Sequence, residues 1–218
     1  MVITMGKSHA STLIIGSSGS GKSYFATYIL MNLKTRYKVI IDPSSEYEIP
    51  GFAIVEINPM NYREMLKSFH LILKEYQNVI VQFDFFTIEQ QKEIVNYIAG
   101  LLFHVRNVAI LFDEAHLYLD RYRPIPNGLL IATAGRKYGI HPIFITQRPQ
   151  LLNSTIRSQT WFKIIMHVDD PRDVEAIRGY VYRAELAPHL PERWFLFRNR
   201  RGKVFLGTTN ELQLPHGG

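Results

Sequence analysis

Short apolar runs recur along the chain, and longer stretches with a helical spacing of apolar residues separate them. The runs are at most four or five residues long and rich in β-branched and aromatic side chains, which favours strands over helices. Their apolar positions are continuous rather than alternating, as is typical of parallel strands covered on both faces. The pattern predicts buried strands at residues 12–15, 39–41, 79–83, 108–112, 143–146 and 164–166.

Helix start and stop signals fall between these strands. A helix is predicted from the Gly/Ser-rich segment at residues 16–23 to about Lys34. Prolines in the first turn predict one helix from Asn58-Pro59 to about Tyr76 and another that opens at Asp170-Pro171. A capping box of Thr87 and Gln90 predicts a helix that ends near His104. A glycine stop predicts a helix that ends at Tyr138-Gly139.

The order of elements predicts the fold class. Strands alternate with helices, and residues 194–197 and 203–206 flank a polar turn that predicts a C-terminal hairpin. We therefore expect an α/β fold of three layers with a mostly parallel central sheet. The length of 218 residues predicts a single domain over residues 1–218.

Composition narrows the class of protein. The chain is 46% hydrophobic and 20% charged, which is typical of a globular protein with a sizeable core. It has no cysteine, which excludes disulfides and cysteine-ligated zinc and fits an intracellular protein. Because no apolar run reaches 18 residues, we expect no transmembrane segment, and residues 1–10 lack the apolar stretch of a signal peptide.

The net charge of +6 is unevenly distributed, with +1 over residues 1–109 and +5 over residues 110–218. A basic half favours a polyanionic partner such as nucleic acid. A solvated basic surface explains the same charge equally well, so both interpretations stay open.

Residues 16–23 match the phosphate-binding motif G-x-x-x-x-G-K-[ST], between a predicted strand and a predicted helix as that motif requires. Glycines let backbone N–H groups turn inward around phosphate oxygens, and the helix N-terminus adds the positive end of its dipole. Lys22 is expected to reach the β- and γ-phosphates, and the Ser23 hydroxyl to ligate Mg²⁺. The sequence thus predicts binding of a nucleoside triphosphate, taken as ATP, with Mg²⁺ through Gly16, Ser17, Ser18, Gly19, Ser20, Gly21, Lys22, Ser23 and Tyr24.

Two acidic residues, Asp113 and Glu114, directly follow the apolar run at residues 108–112. Ligands of open α/β sheets bind at the carboxyl ends of strands, which is where these side chains are expected. Asp113 is expected to hold Mg²⁺, and Glu114 to orient the attacking water or to take its proton. The second acid favours hydrolysis over phosphoryl transfer to a small acceptor, which argues against a nucleoside or nucleotide kinase.

The predicted strand at residues 143–146 ends in Gln147. If that strand lies beside the Asp113 strand, its amide lies at the γ-phosphate, where it can sense the phosphate or position water. Residues 113–116 also spell the tetrapeptide of a helicase class, but those enzymes have two motor domains and this chain has room for one.

Several motifs together resemble the FtsK–HerA superfamily of DNA-pumping ATPases, over about residues 12–177. They are residues 16–23, Ile41-Asp42-Pro43 with Glu46-Tyr47, residues 111–116, Ala134-Gly135-Arg136-Lys137-Tyr138-Gly139, and Phe144-Ile145-Thr146-Gln147-Arg148-Pro149. A glycine-arginine-lysine helix end followed by a strand ending in Thr-Gln-Arg-Pro is typical of HerA-like members.

The resemblance implies a RecA-like core, a homo-oligomeric ring that is usually a hexamer, and ATP-driven movement of double-stranded DNA through its channel. It also implies that Gln147 is the γ-phosphate sensor and that an arginine from the neighbouring subunit completes each site. Arg136 is the first candidate for that arginine, and Arg148 is the second.

The short N-terminal segment indicates which members of the superfamily the chain resembles most. Only eleven residues precede the first predicted strand, so we expect neither the N-terminal barrel of HerA nor the membrane region of FtsK. Such a motor domain is similar to the genome-packaging ATPases of icosahedral viruses with an internal membrane. This implies packaging of a genome into a preformed capsid, contacts with capsid or vertex proteins, and a location in the host cytoplasm or at the virion vertex.

Two alternatives stay open. One is a HerA-like translocase of DNA repair or conjugation, a soluble intracellular protein that would need a partner nuclease or a barrel supplied elsewhere. The other is an assembly ATPase gated by nucleotide, resembling the Zot-like morphogenesis proteins.

Two basic segments are candidates for contacts with DNA, a predicted loop at residues 121–127 stiffened by prolines and the predicted hairpin. Arginine binds phosphate bidentately, so we expect recognition to be independent of base sequence. Exposed loops are also often basic without any such role. The candidate residues are Arg121, Arg123, Arg198, Arg200 and Arg201, with Lys203 and Arg193 nearby.

The histidines, among them His104, His116 and His141, are scattered without the spacing of metal ligands. We therefore expect no histidine metal site.

Overall fold

The computed structural model describes residues 11–210, so residues 1–10, which were predicted to carry no signal peptide, lie outside the described residues. The strands are β1 (Thr12–Ile15), β2 (Tyr37–Asp42), β3 (Ala53–Ile57), β4 (Asn78–Phe83), β5 (Val108–Phe112), β6 (Ile140–Thr146), β7 (Phe162–Ile165), β8 (Trp194–Arg198) and β9 (Val204–Thr208). The α-helices are α1 (Lys22–Asn32), α2 (Tyr62–Tyr76), α3 (Ile88–Val105), α4 (Pro126–Ala134), α5 (Ser154–Gln159) and α6 (Pro171–Arg178). Short 3₁₀ helices cover Ala115–Leu117, Gly135–Tyr138 and Ala184–His189.

Within the described residues, one sheet has the order β3-β4-β2-β5-β6-β1-β7-β8-β9. β1 to β7 are parallel, and β8 and β9 add an antiparallel hairpin at one end. The predicted α/β fold with its mostly parallel sheet and C-terminal hairpin is confirmed. No helix within residues 11–210 is both long and apolar enough to cross a membrane.

The two faces of the sheet bury different helices. Successive residues of each strand point to opposite faces, so Ile14 packs with α1, whereas Leu13 and Ile15 join the cluster that includes α2 to α6. The segment between β2 and β3 adds Tyr47 to the α1 face. The central strands are therefore covered on both sides, which explains their continuous apolar runs.

Several boundaries differ from the sequence prediction. α2 begins at Tyr62, because the Asn58 side-chain oxygen accepts hydrogen bonds from the backbone N–H groups of Met60 and Asn61 and closes a separate turn before the helix. The helix predicted to end at Tyr138 ends at Ala134, and a 3₁₀ turn leads to Gly139, whose positive φ of 70° makes it the predicted stop. The last predicted parallel strand ends at Ile165 rather than Met166.

The predicted loop at residues 121–127 is also shorter than expected, since Pro126 is the first residue of α4. The capping box of Thr87 and Gln90 is present as predicted and opens α3. β3, α5 and the 3₁₀ helix Ala184–His189 were not predicted from the sequence.

Candidate nucleotide-binding site

The candidate site lies at the carboxyl edge of the sheet, where three neighbouring strands end. β6 lies between β5 and β1, with Phe112 opposite Phe144 and Ile15 opposite Thr146. The residues that follow these strands therefore lie side by side: residues 16–21 after β1, Asp113 and Glu114 after β5, and Gln147 after β6. The predicted placement of the Gln147 strand beside the Asp113 strand is confirmed.

The phosphate-binding loop depends on two of its glycines for different reasons. Gly21 caps α1 with a φ of 93°, a backbone conformation that side chains disfavour. Gly16 has no room for a side chain, because a Cβ atom there would lie 2.5 Å from the Ser20 hydroxyl and 2.9 Å from Met166. A 2.7 Å hydrogen bond from the Ser17 N–H to the His167 carbonyl connects the loop to the segment that follows β7.

Lys22 starts α1, and its amine donates a 2.7 Å hydrogen bond to the Ser17 carbonyl across the loop. Burial lowers the pKa of the amine, while the charges of Glu114, Asp113 and Glu46 act in the opposite direction. Tyr24, predicted to take part in the nucleotide site, follows Ser23 in α1 and is 42% exposed.

Asp113 is almost completely buried, at 5% exposure. Burial raises the pKa of its carboxyl to about 7, the charges of Glu114 and Asp42 add to that shift, and the Glu114 N–H and the charge of Lys22 oppose it. A carboxylate in this setting is stabilised by a cation, because the charged form is otherwise costly to bury.

Glu114 has left-handed backbone angles, φ 41° and ψ 49°, which cost a residue with a side chain roughly 1–2 kcal/mol. Its Oε2 atom is buried without a hydrogen bond of good geometry, although His116 Nδ1 lies 3.2 Å away. The same His116 nitrogen lies 3.0 Å from the Thr146 hydroxyl at the end of β6. His116 therefore links the acidic segment after β5 to the strand that carries Gln147, a contact that the sequence analysis did not predict.

Tyr47 is a further residue of the site that the sequence analysis left without a role. It is 6% exposed, and its hydroxyl lies beside the Ser23 hydroxyl and the Asp113 carboxylate without making a hydrogen bond of good geometry to either. Burial raises the pKa of this phenol, and the charge of Asp113 raises it further.

The position of Tyr47 is fixed through its backbone. Its N–H donates to Asp42 Oδ2 at 3.0 Å, and its carbonyl accepts from the Gln82 side chain at 3.2 Å. Gln82 also donates to Asp42 Oδ2 at 2.9 Å, so the ends of β2 and β4 together hold the tyrosine. A chemical signal was available in Asp42, an acid at a strand end, but Gln82, which completes this arrangement, lies on another strand and far away in the chain.

The residues present fit a bound Mg²⁺. Ser23, Asp113 and Tyr47 supply only oxygen atoms, the ligand type that Mg²⁺ prefers, and the Tyr47 hydroxyl is a buried polar atom in need of a partner.

Gln147 lines a cavity of about 260 Å³ that adjoins the phosphate-binding loop at Ser17 and Ser18. Arg148 lines the same cavity, but its guanidinium lies 3.4 Å from Asp170 and 3.5 Å from Asp173. These two carboxylates neutralise Arg148 within its own chain.

Arg136 does not lie at this edge. It precedes β6, so its position is at the amino edge of the sheet, about 20 Å from Gln147 at the rise of 3.3 Å per strand residue. Its guanidinium lies 4.7 Å from the centre of the Trp161 ring.

The two candidate DNA segments lie at opposite edges. Arg121 and Arg123 are exposed in the loop that leaves the carboxyl edge, where the Asp120 carboxylate accepts from the Tyr122 and Arg123 N–H groups and pairs with Lys92. The hairpin tip with Arg198, Arg200 and Arg201 lies at the amino edge, because β8 runs antiparallel to β7. Arg193 precedes β8 and lies at the opposite end of that strand, so the prediction that it is near the tip was wrong.

Comparison with known proteins finds a family and relatives that this chain resembles. The DUF87 family, described as the central domain of the helicase HerA, matches residues 8–67. The probable DNA double-strand break repair helicase HerA of Methanocaldococcus jannaschii is 27% identical over 157 residues, which cover 66% of this chain and 30% of that protein. The chain thus spans less than a third of that relative's length.

Solved structures share the fold. The genome packaging NTPase B204 from Sulfolobus turreted icosahedral virus 2, in complex with AMPPCP, superposes with a TM-score of 0.67 at 19% identity, over 94% of this chain and 99% of that one. VirB4 of Thermoanaerobacter pseudethanolicus gives a TM-score of 0.65 at 13% identity, over 91% and 88%. The resemblance to the P-loop ATPases of the FtsK–HerA superfamily is confirmed.

Proposed function

We propose that this protein is an ATP-hydrolysing motor that moves double-stranded DNA, as a single domain over residues 1–218. The observation that carries the proposal is the convergence of Lys22, Asp113, Glu114 and Gln147 on one edge of the sheet from three adjacent strands. The similarity to the HerA central domain, which is a helicase domain by description, supports DNA as the substrate on which the motor acts.

In this proposal Lys22 and the loop N–H groups hold the triphosphate, and Ser23 and Asp113 hold Mg²⁺. Mg²⁺ bound there would neutralise charge on the phosphate oxygens. Glu114 orients the attacking water and accepts its proton, and His116 Nδ1 lies 3.2 Å from that carboxylate. Gln147 responds to the γ-phosphate and transmits its loss along β6.

Genome packaging is the form of DNA movement that we favour. It is supported by the similarity in fold to B204, a genome packaging NTPase by name, which extends over 94% of this chain and 99% of the B204 chain. The protein would then act as a homo-oligomeric ring, such as a hexamer, at a capsid vertex or in the host cytoplasm. Arg136 would reach the nucleotide of the neighbouring subunit, and the loop with Arg121 and Arg123 would contact DNA phosphates, with the hairpin arginines as a second segment.

A DNA repair translocase is the second candidate. It is favoured by one specific observation, the 27% identity to the probable repair helicase HerA over 157 residues. ATP-dependent packaging of DNA into empty capsids would separate the two functions.

The chemical step is tested by Glu114→Gln. Because the amide cannot accept the proton of water, turnover is expected to fall about 10²–10⁴-fold while ATP still binds. Binding is measured by equilibrium titration and turnover by phosphate release. Glu75→Gln, an exposed change at the end of α2, is the matched control and should behave as the unmodified protein. Near-normal turnover of Glu114→Gln would remove Glu114 from the mechanism.

A further inference from the structure

His116 lies between the acidic segment after β5 and the end of β6. Its Nδ1 atom lies 3.0 Å from the Thr146 hydroxyl and 3.2 Å from Glu114 Oε2. The His116 side chain is only 12% exposed, and Thr146 is completely buried. The ring therefore has little freedom to turn towards solvent, and both oxygen atoms stay within its reach.

The Nδ1 atom of His116 has one hydrogen for these two acceptors. A ring nitrogen of histidine carries at most one hydrogen, and a carboxylate beside Nδ1 favours the tautomer in which that hydrogen is present. The hydrogen-bond geometry is good towards Thr146, whereas Glu114 Oε2 is buried without a hydrogen-bond partner among the described residues. In this structure the histidine is therefore bonded to the end of β6, and the carboxylate beside it is not held.

The Thr146 hydroxyl is also part of the turn that carries Gln147. It accepts a 2.9 Å hydrogen bond from the backbone N–H of Arg148, two residues further along the chain, so the turn closes around Gln147. Gln147 lines the cavity that adjoins the phosphate-binding loop. A shift of Gln147 towards a bound phosphate therefore changes the position of the hydroxyl that His116 contacts.

Glu114 is the stronger acceptor of the two. A hydrogen bond to a charged group is usually worth more than one between neutral groups, and a buried polar atom without a partner is costly. The bond to Thr146 leaves the Glu114 oxygen in that costly state. Once the Thr146 hydroxyl moves away, the His116 N–H therefore gains by turning to the carboxylate, so the ring has two alternative arrangements.

We propose that His116 is a positioning residue that couples Gln147 to Glu114 by exchanging the acceptor of its Nδ1–H. Without nucleotide this N–H donates to Thr146, and the carboxylate is not held. When Gln147 meets the γ-phosphate, Thr146 withdraws, and the same N–H donates to Glu114 and fixes the carboxylate where it orients water. The hydrogen stays on Nδ1 throughout, so no proton is transferred in the exchange. The coupling rests on the proposed function in taking Glu114 as the base and Gln147 as a contact of the γ-phosphate.

Kinetic variants give the first part of the test. His116→Leu should lower kcat about 10- to 100-fold, because the base is misplaced rather than absent, while the affinity for ATP stays unchanged. His116→Asn should retain most of kcat, because the amide nitrogen occupies the position of Nδ1. His116→Gln, whose amide nitrogen reaches the position of Nε2, should be as slow as His116→Leu. His104→Leu, an exposed change in the last turn of α3, is the matched control and should leave kcat unchanged.

Nuclear magnetic resonance follows the exchange without requiring hydrolysis. The protein is prepared with isotope-labelled histidine, and the Nδ1–H signal of His116 is identified by its absence from His116→Asn. A non-hydrolysable ATP analogue with Mg²⁺ should move the proton signal downfield, because a carboxylate is a stronger acceptor than a hydroxyl. In Thr146→Val, which lacks the competing hydroxyl, the signal should lie downfield before the analogue is added. Binding of the analogue is checked by titration in the same samples.

Three results would overturn the coupling. They are a normal kcat for His116→Leu, a kcat for His116→Asn as low as that for His116→Leu, and a His116 signal that bound analogue does not move. Each of these would leave the proposed function intact as long as Glu114→Gln is slow. Conversely, if the variants and the signal behave as expected but duplex DNA is not moved, the motor is wrong and the coupling of Gln147 to Glu114 stands.

Discussion

Asp113 and Lys22 are both buried at the candidate site, and the pKa of each is shifted towards its neutral form. Glu114 beside them has left-handed backbone angles, and the Tyr47 hydroxyl has no hydrogen bond. At the scale of single residues, the site therefore contains several groups that cost stability until a ligand contacts them, as is common where function sets the sequence.

Tyr47→Phe tests the role of the unpartnered hydroxyl. If this hydroxyl orients the oxygen atoms around Mg²⁺, its loss should lower turnover at limiting Mg²⁺ about tenfold, the equivalent of one hydrogen bond of about 1.4 kcal/mol. The free energy of unfolding should stay the same or rise, because a buried unsatisfied group is removed. Turnover against Mg²⁺ concentration and chemical denaturation are the two measurements.

Tyr118→Phe is the control for that change. Tyr118 is equally buried, but its hydroxyl donates a 3.0 Å hydrogen bond to Gln91 Oε1. Its loss should destabilise the fold by about 1 kcal/mol and leave the Mg²⁺ dependence unchanged. The same Mg²⁺ dependence in Tyr47→Phe and in the unmodified protein would exclude Tyr47 from the metal site.

Lys163 gives a pH-dependent prediction outside the site. The residue is 2% exposed, its amine donates to the Thr160 carbonyl, and burial, with the charge of Arg198, lowers its pKa from 10.5 to about 8. Between pH 8 and 10 the unfolded chain binds the proton more strongly than the folded one, so this residue makes stability rise with pH. At pH 7, which is below both pKa values, burial of the charged amine lowers the stability of the folded protein by its full amount.

Lys163→Met should therefore stabilise the protein at pH 7, by about 2 kcal/mol, and the gain should vanish as the pH approaches 10. Denaturation midpoints at pH 7, 8, 9 and 10 are the measurement. Lys74→Met, at an exposed position in α2, should change stability equally at each pH. A gain for Lys163→Met that does not depend on pH would show that folding does not lower the pKa of the Lys163 amine.

What the sequence predicted at this scale depended on local motifs. Lys22, Ser23, Asp113 and Gln147 each follow a strand or open a helix within one short segment, so their placement was predictable. Tyr47 was not, because a buried tyrosine is usually a core residue and its neighbours Asp42 and Gln82 act through the packing of β2 against β4. The contact of the Arg136 guanidinium with the Trp161 ring was also not predicted, because the two residues are far apart in the chain.

At the scale of elements, β1, β2, β4, β5 and β6 were predictable because they are buried on both faces and read as continuous apolar runs. β3 was missed because it is an edge strand with exposed Ile54 and Glu56, so its apolar run is interrupted. α2 was predicted to start too early because Asn58-Pro59 closes a turn as readily as it caps a helix. The short α5 is below the length at which helical spacing can be recognised.

The two basic segments at opposite edges make different predictions for DNA. In the loop, Asp120 holds the backbone of Arg123, so its arginines are presented in a fixed position. Arg121→Gln with Arg123→Gln should flatten the dependence of log affinity on log salt by roughly 1–2 units if both contact phosphate. Arg198→Gln with Arg201→Gln is the matched pair in the hairpin. If the dependence of log affinity on log salt is flatter for the hairpin pair alone, the duplex contacts the amino edge and not the loop.

At the scale of the whole molecule, the two edges of the sheet differ in charge. The amino edge carries cations, with Arg36 before β2, Arg106 before β5 and Arg136 before β6, whereas the carboxyl edge carries the acids Asp113, Glu114, Asp169 and Asp170 together with the cations Lys22, Arg121, Arg123 and Arg148. Copies arranged head to tail would place opposite charges together, and such heterologous contacts close into rings when the rotation permits. This polarity appears only when the parallel topology is known, because cations and acids are interleaved in the sequence.

Triplex displacement tests the central claim, a motor on double-stranded DNA, most directly. A labelled third strand is bound to duplex DNA, and its release is followed after addition of protein, Mg²⁺ and ATP. The proposal predicts that duplex DNA stimulates ATP turnover and that the unmodified protein displaces the third strand, whereas Glu114→Gln binds ATP and leaves the triplex intact. ATP turnover that is unaffected by duplex DNA, with the third strand still in place, would contradict it.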